Sequence, residues 1–148
     1  MLTKVASIFA ILATLLGISS SSQAQIVQVM AGVDDSGMTR IIEAYEYDYA
    51  TEKPQFPGGE DKFREFINET RQYPYEAYEK GIQGKVTCWF IINPDGSVSN
   101  INIKRSVNYL LDAEAIRIFS LMPAWEPGRD KNGKAVPVRV MRSVRFKK

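Results

Sequence analysis

Histidine is absent from these 148 residues, and cysteine occurs once, at Cys88. A single cysteine excludes a disulfide within the chain. Without histidine and with one thiol, the sequence lacks the ligands that zinc sites use. Cys88 lies inside an apolar run, which is typical of a small buried side chain rather than of a nucleophile. We therefore expect no metal site and no cofactor.

Acidic pairs occur at several places, but none is accompanied by the other residues that catalysis usually needs. Acid–base and nucleophilic chemistry most often relies on histidine or an activated thiol. Without these, the pairs are typical of helix caps and solvated faces: Asp34 and Asp35, Glu76 and Glu79, Asp112 and Glu114. Gly58-Gly59 also lacks the Lys-Ser or Lys-Thr of a phosphate-binding loop. The sequence therefore predicts no catalytic residues and no enzyme activity.

The first 24 residues have the pattern of a secretory signal peptide. Lys4 supplies a positive charge, Val5 to Ile18 is apolar and uncharged, and Ser22 to Ala24 forms a small-x-small cleavage site. The apolar run is shorter than the roughly 20 residues that a membrane span needs. We expect residues 1–24 to be removed and the mature chain to be periplasmic. The alternative is an uncleaved inner-membrane anchor with the domain facing the periplasm.

Charge is nearly balanced, at +2, but the two signs are separated along the chain. Acidic residues crowd the first half, and basic residues crowd the end, from Arg129 to Lys148. A basic segment can indicate nucleic acid or a membrane surface, but an exported protein does not meet nucleic acid. We expect no nucleic-acid partner, and instead a charged strand edge that discourages non-specific pairing or attracts an acidic partner.

From Pro54 onward, the apolar residues follow helical and strand periods in turn. The expected elements are helices at Glu60–Arg71 and Pro74–Lys80, strands at Val86–Ile92 and Ser97–Lys104 joined by a turn at Asn93–Gly96, a helix capped by Asp112 and ended by Pro123, and a strand at Val136–Phe146. This order predicts an α+β domain, with a three-stranded antiparallel sheet and helices packed on one face. The last strand is expected at a sheet edge.

Two positions near the end predict special geometry. Trp125 lies between Pro123 and Pro127, which stop a helix, and its large ring suits the cover of one end of a small core. Arg142 interrupts the apolar face of the last strand, which predicts a bulge or an exit from the sheet.

These motifs, taken in order, resemble the C-terminal domain of the TonB family of energy transducers. The resemblance looks closest to the branch with Pro-x-Phe-Pro-Gly-Gly before the first helix, here Pro54–Gly59. The other matching positions are Tyr73, Pro74, Ala77, Gly81, Gly84, Val86, Asp95, Gly96, Leu111, Asp112, Ala115, Met122, Pro123, Trp125, Pro127, Gly128, Gly133 and Lys134. The chain then divides into a predicted signal peptide at 1–24, a lead-in of uncertain structure at 25–53, and a TonB C-terminal-like domain at 54–148.

Family members transmit force from a proton-driven inner-membrane motor to outer-membrane transporters, and they bind the transporter's TonB box as an added strand. The resemblance implies a docking place at Tyr73, Pro74, Arg139, Val140, Met141, Arg142, Ser143, Val144 and Arg145. It also implies the motor as a partner. However, this chain lacks the motor-coupling histidine and the long Pro-rich spacer of full-length transducers, and Ser143 stands where the last strand usually has a proline.

Other functions remain open at the level of sequence. A soluble accessory that docks on a transporter without pulling fits the predicted signal peptide. A structural or glycan-binding envelope protein is the alternative class, in which tyrosines would stack on sugars: Tyr45, Tyr47, Tyr49, Tyr75 and Tyr78. The sequence leaves open the identity of the transporter and whether the chain is a monomer or a homodimer.

We expect cleavage after Ala24 and release of a periplasmic product, because the apolar run is short and ends in Ser-Gln-Ala. Intact-mass measurement of the exported protein checks this expectation. A membrane-bound product that retains residues 1–24 would show that the segment is an anchor.

Overall fold

The computed structural model describes residues 26–33 and 35–148, so the predicted signal peptide lies outside the described part of the chain. The elements are strands β1 (Ile26–Val33) and β2 (Thr39–Glu46), a 3-10 turn (Tyr47–Tyr49), helices α1 (Gly59–Thr70) and α2 (Tyr75–Glu79), strands β3 (Gly84–Ile92) and β4 (Val98–Arg105), helix α3 (Tyr109–Ser120), and strands β5 (Gly128–Arg129), β6 (Ala135–Val136) and β7 (Val138–Phe146). Within the described residues, no helix combines the length and apolarity needed to cross a membrane.

Five strands form one mixed sheet in the order β1-β2-β7-β3-β4. β3 and β4 form the predicted antiparallel hairpin, and β7 pairs antiparallel with β3 from Gly84 opposite Phe146 to Ile92 opposite Val138. β5 and β6 form a separate two-stranded ladder just before β7. The predicted α+β class is confirmed.

The lead-in, whose structure was uncertain from the sequence, contributes two strands. β1 pairs antiparallel with β2, and β2 runs parallel to the start of β7, with Tyr45 opposite Val138 and Glu46 opposite Arg139. The large sheet is therefore five-stranded and mixed rather than three-stranded and antiparallel. β2 was hard to recognise because Ala44 is its only buried residue, so the strand shows no alternating apolar face.

The helices lie where they were predicted, with ends shifted by one or two residues: α2 begins after Pro74, and α3 ends at Ser120. The cap at the start of α3 differs from the prediction. Asn108 is the N-cap there, because its side-chain oxygen accepts the N–H of Leu110 at 2.9 Å. The predicted cap at Asp112 is wrong. Asp112 lies inside the first turn, and its carboxylate accepts the hydroxyl of Ser106 and the N–H of Val107. It therefore ties the preceding loop to the helix rather than starting the helix.

The core lies between one face of the sheet and the helices. Alternate residues of β3, among them Val86, Cys88 and Phe90, are fully buried on this face. The ring of Phe90 lies 5.4 Å from that of Phe119 in α3, centroid to centroid. The apolar alternation predicted for β3 thus corresponds to its contact with the helical layer.

Trp125 closes one end of this core and is 4% exposed. Its ring centroid lies 5.7 Å from those of Phe56 and Phe90 and 5.8 Å from that of Phe63. Its backbone N–H donates to the carbonyl of Gly96 at 2.8 Å. A Cβ on Gly96 would lie 2.0 Å from the carbonyl oxygen of Trp125, so this turn position requires glycine. Trp125 therefore connects α1, through Phe63, to the turn between β3 and β4, through Gly96.

We expect Trp125→Ala to lower the free energy of unfolding by about 3–5 kcal/mol, because it empties a site packed by three aromatic rings. Urea denaturation measures the change. Leu121→Ala is the control, since it removes an exposed apolar side chain from the same segment. A Trp125→Ala protein as stable as the parent would contradict the structural role.

We expect the Cys88 thiol to be unreactive in the folded protein. The side chain is fully buried, and burial raises its pKa to about 11. The reactive thiolate is therefore scarce near neutral pH. Labelling with a thiol reagent should be slow in buffer and fast in urea. Rapid labelling without denaturant would show that β3 is accessible.

Candidate functional site

Within the part of the chain that the structure describes, the end of β7 has a neighbouring strand on one side only. β2 pairs with Val138 and Arg139 and then turns away at Tyr47. Beyond Arg139, no strand of residues 26–33 and 35–148 lies on that side of β7. The predicted edge position is therefore wrong for the first two residues of β7, where β2 covers it, and correct for the following ones.

Two hydrogen bonds show which backbone groups face the side without a strand. The carbonyl of Pro137 accepts the N–H of Tyr45 at 2.8 Å, and the carbonyl of Arg145 accepts Nη1 of Arg71 at 2.7 Å. Backbone groups point alternately to the two sides of a strand. The N–H and C=O groups of residues 141, 143 and 145 therefore point away from β3. We call residues 141–145 the open edge.

The predicted docking residues differ in where their side chains lie. Val140 and Val144 are fully buried in the core, so their side chains hold the strand against the helical layer. Met141 and Arg145 are exposed on the opposite face, which we call the outer face, and Ser143 is half-buried between them. Only the second group can present side chains beside an added strand.

Arg142 lies on the core face, in unbroken register with β3, so the predicted bulge is wrong. Its guanidinium carbon lies 5.6 Å from the ring centroid of Tyr47, 5.8 Å from that of Phe63 and 5.9 Å from that of Trp125. Nη2 also lies 3.7 Å from a carboxylate oxygen of Glu60. Aromatic faces and a carboxylate stabilise the cation at the rim of the core, and the strand continues straight.

On the outer face, Trp89 is flanked by two cations. The guanidinium carbon of Arg139 lies 3.6 Å from the ring centroid, and Nζ of Lys104 lies 4.7 Å from it. Arg139 also forms an ion pair with Glu46 at the end of β2, and Nζ of Lys104 lies 3.1 Å from Sδ of Met141. These contacts hold positive charge beside the start of the open edge.

A groove of about 410 Å³ lies where β2 ends and the open edge begins. Its lining includes the acidic residues Glu46 and Asp48 and the basic residues Lys104, Arg139 and Arg142. Charges of both signs in one groove favour a segment whose own charges are complementary to them.

The Tyr73-Pro74 segment lies at the other end of the open edge. The ring of Tyr73 packs edge-on against Phe146, with 5.6 Å between the centroids, and its hydroxyl donates to the carbonyl of Ile82. Pro74 directly precedes α2, and its carbonyl accepts the N–H of Tyr78 at 2.9 Å. The structure thus brings this segment next to the end of β7, and its contact with a partner stays a prediction.

Trp89, Lys104 and Arg71 are among the residues that were not predicted to belong to the site. Trp89 belongs to β3, and its cation neighbours Arg139 and Lys104 come from two other strands, so no pattern within β3 reveals this cluster. Nothing in the sequence marks Arg71 as a site residue except its closeness to Tyr73. In the described ranges, no group of three His, Cys, Asp or Glu side chains is placed to hold a metal ion.

No curated protein sequence matches this chain. Two similar solved structures are NMR solution structures of the Helicobacter pylori TonB C-terminal domain. For its residues 179–285, identity is 25%, the alignment covers 62% of this chain and 86% of that one, and the TM-score is 0.47. For its residues 194–285, the corresponding values are 24%, 59%, 90% and 0.45. A family model described as Gram-negative bacterial TonB protein C-terminal matches residues 69–147, from the end of α1 through β7. This match spans more than half of the chain, and the chain therefore belongs to the family of TonB C-terminal domains.

Proposed function

We propose that this domain docks on a TonB-dependent outer-membrane transporter by adding an extended transporter segment, its TonB box or plug peptide, to the open edge of β7. C-terminal domains of this family bind outer-membrane transporters. The observation that carries the proposal is the open edge itself, where three outward N–H groups have no strand of the described residues across them. Unpaired backbone groups of this kind are a template for another strand.

The pairing of β2 with the first residues of β7 supports the proposal from within the chain. β2 already uses the same side of β7 as a strand partner, in parallel orientation. The remaining span of five residues is about 17 Å long at the usual rise of about 3.4 Å per residue. Backbone hydrogen bonds along such a span supply affinity that depends little on the partner's side chains.

Side-chain charge supplies selectivity in this proposal. Arg139, Lys104 and Arg142 line the groove at one end, and Arg145 is exposed at the other. Acidic side chains on the incoming segment would be attracted to these groups, which raises the association rate and weakens with salt. The same charges discourage pairing between copies of this basic strand.

In this role, the protein is a non-catalytic periplasmic binding domain. The TonB C-terminal family is non-catalytic, and the predicted signal peptide supports the periplasm as the location. A docking role needs only the domain described above. Force transmission needs coupling to the inner-membrane motor, and these 148 residues lack the histidine that full-length transducers use for it.

We expect Met141→Pro to weaken binding of a transporter plug peptide by about tenfold or more while the domain stays folded. Proline removes an outward N–H, and its ring occupies the position that the partner strand would approach. NMR titration with the plug peptide measures the affinity. Met141→Ala is the matched control, because it removes the side chain but keeps the N–H.

The folded state of the variants is checked by circular dichroism. Unchanged affinity of folded Met141→Pro, or peptide-induced shifts confined to α1, would move the docking site away from the open edge.

A further inference from the structure

Two arginines of the chain already occupy carbonyls of the open edge. The carbonyl of Arg145 accepts Nη1 of Arg71 at 2.7 Å, and the carbonyl of Met141 accepts Nη1 of Arg142 at 3.0 Å. No described residue donates to the carbonyl of Ser143, which lies between them. Among the described residues, the open edge therefore has occupied acceptors at both ends and a free acceptor at its centre.

The backbone of Arg71 and the guanidinium of Arg142 are each fixed by additional contacts. Arg71 is the C-cap of α1, and its backbone N–H donates to the carbonyl of Ile67 at 2.9 Å. Arg142 lies among three aromatic rings and beside Glu60. A guanidinium stays charged at any pH at which proteins fold, and hydrogen bonds from charged donors are the stronger class. These carbonyls are therefore not freely available to a partner.

This arrangement changes what an added strand must provide. The partner N–H groups that face β7 are two residues apart, whether the partner runs parallel or antiparallel to it. Three such groups span the open edge, but only the central one meets a free carbonyl. The outward N–H groups of β7, in contrast, meet no acceptor among the described residues, so carbonyls of the partner can pair with them along the whole span.

We propose that Arg71 and Arg142 set the register of the docked strand, so that the partner aligns one backbone N–H with the carbonyl of Ser143 and needs none two residues to either side. This inference rests on the proposed strand addition. The partner that it fits is an extended segment in which proline is tolerated at the two flanking positions but not at the central one.

The test is an ester scan of a transporter plug peptide that binds the protein. Each backbone amide is replaced in turn by an ester, which removes the N–H without adding bulk, and calorimetric titration measures each affinity. The ester at the central position should weaken binding about two- to tenfold, as loss of one net hydrogen bond does. Esters two residues to either side should change it by less than about twofold.

Arg71→Met tests the arginine directly, because it removes the donor and keeps an unbranched side chain. In this variant, the ester that faces Arg145 should also weaken binding about two- to tenfold. Arg64→Met is the matched control. Arg64 lies on the exposed side of the same helix and pairs with Asp61, so its replacement removes an equal charge away from β7.

The outcomes separate this inference from the proposed function. Equal losses for three alternate esters in the unsubstituted protein would overturn the register proposal while supporting strand addition. No loss for any ester would overturn strand addition itself. If the same esters weaken binding in Arg71→Met as in Arg64→Met, Arg71 does not set the register.

Discussion

The antiparallel pairing of β3 with β7 is the interaction on which the rest of the domain depends. It runs along the full length of both strands and places Val86, Phe90 and Val144 in the core. Because each backbone group of a strand points to one side only, the same pairing determines which groups of β7 face outward. A shift of one residue would exchange the two faces and turn Arg139 and Met141 toward the helices. The core, the outer face and the open edge are therefore consequences of one register.

Elements whose signal is local could be predicted from the sequence. The glycine-preceded first helix, the Asn93–Gly96 turn and the alternating strand β3 each carry their pattern within about ten residues. β1 and β2 could not be predicted in this way, because they are held mainly by backbone pairing and bury few side chains. The bulge expected at Arg142 reflects the cost of a charge on a core face. Three rings and Glu60 offset that cost, and they come from distant parts of the chain.

The candidate site was predictable only in outline. The resemblance implied the final strand and the Tyr73-Pro74 segment, which the structure places next to each other. The outward direction of individual N–H groups depends on pairing with β3, which no property of the strand alone reveals. The contact between Arg71 and the carbonyl of Arg145 joins residues 74 positions apart. The sequence alone does not reveal whether a basic side chain faces a partner or donates a hydrogen bond to a carbonyl of its own chain.

The central position of β7 has a consequence for the order in which this sheet can form. β2 and β3 are both neighbours of β7, yet they precede it in the chain, and the Glu46–Arg139 contact spans 93 positions. During synthesis, β2 and β3 emerge with unpaired edges and stay so until residues 138–146 have left the ribosome. Pairing between distant segments is also slow to form. The β1–β2 and β3–β4 pairs can therefore be joined into one sheet only after the last strand is available.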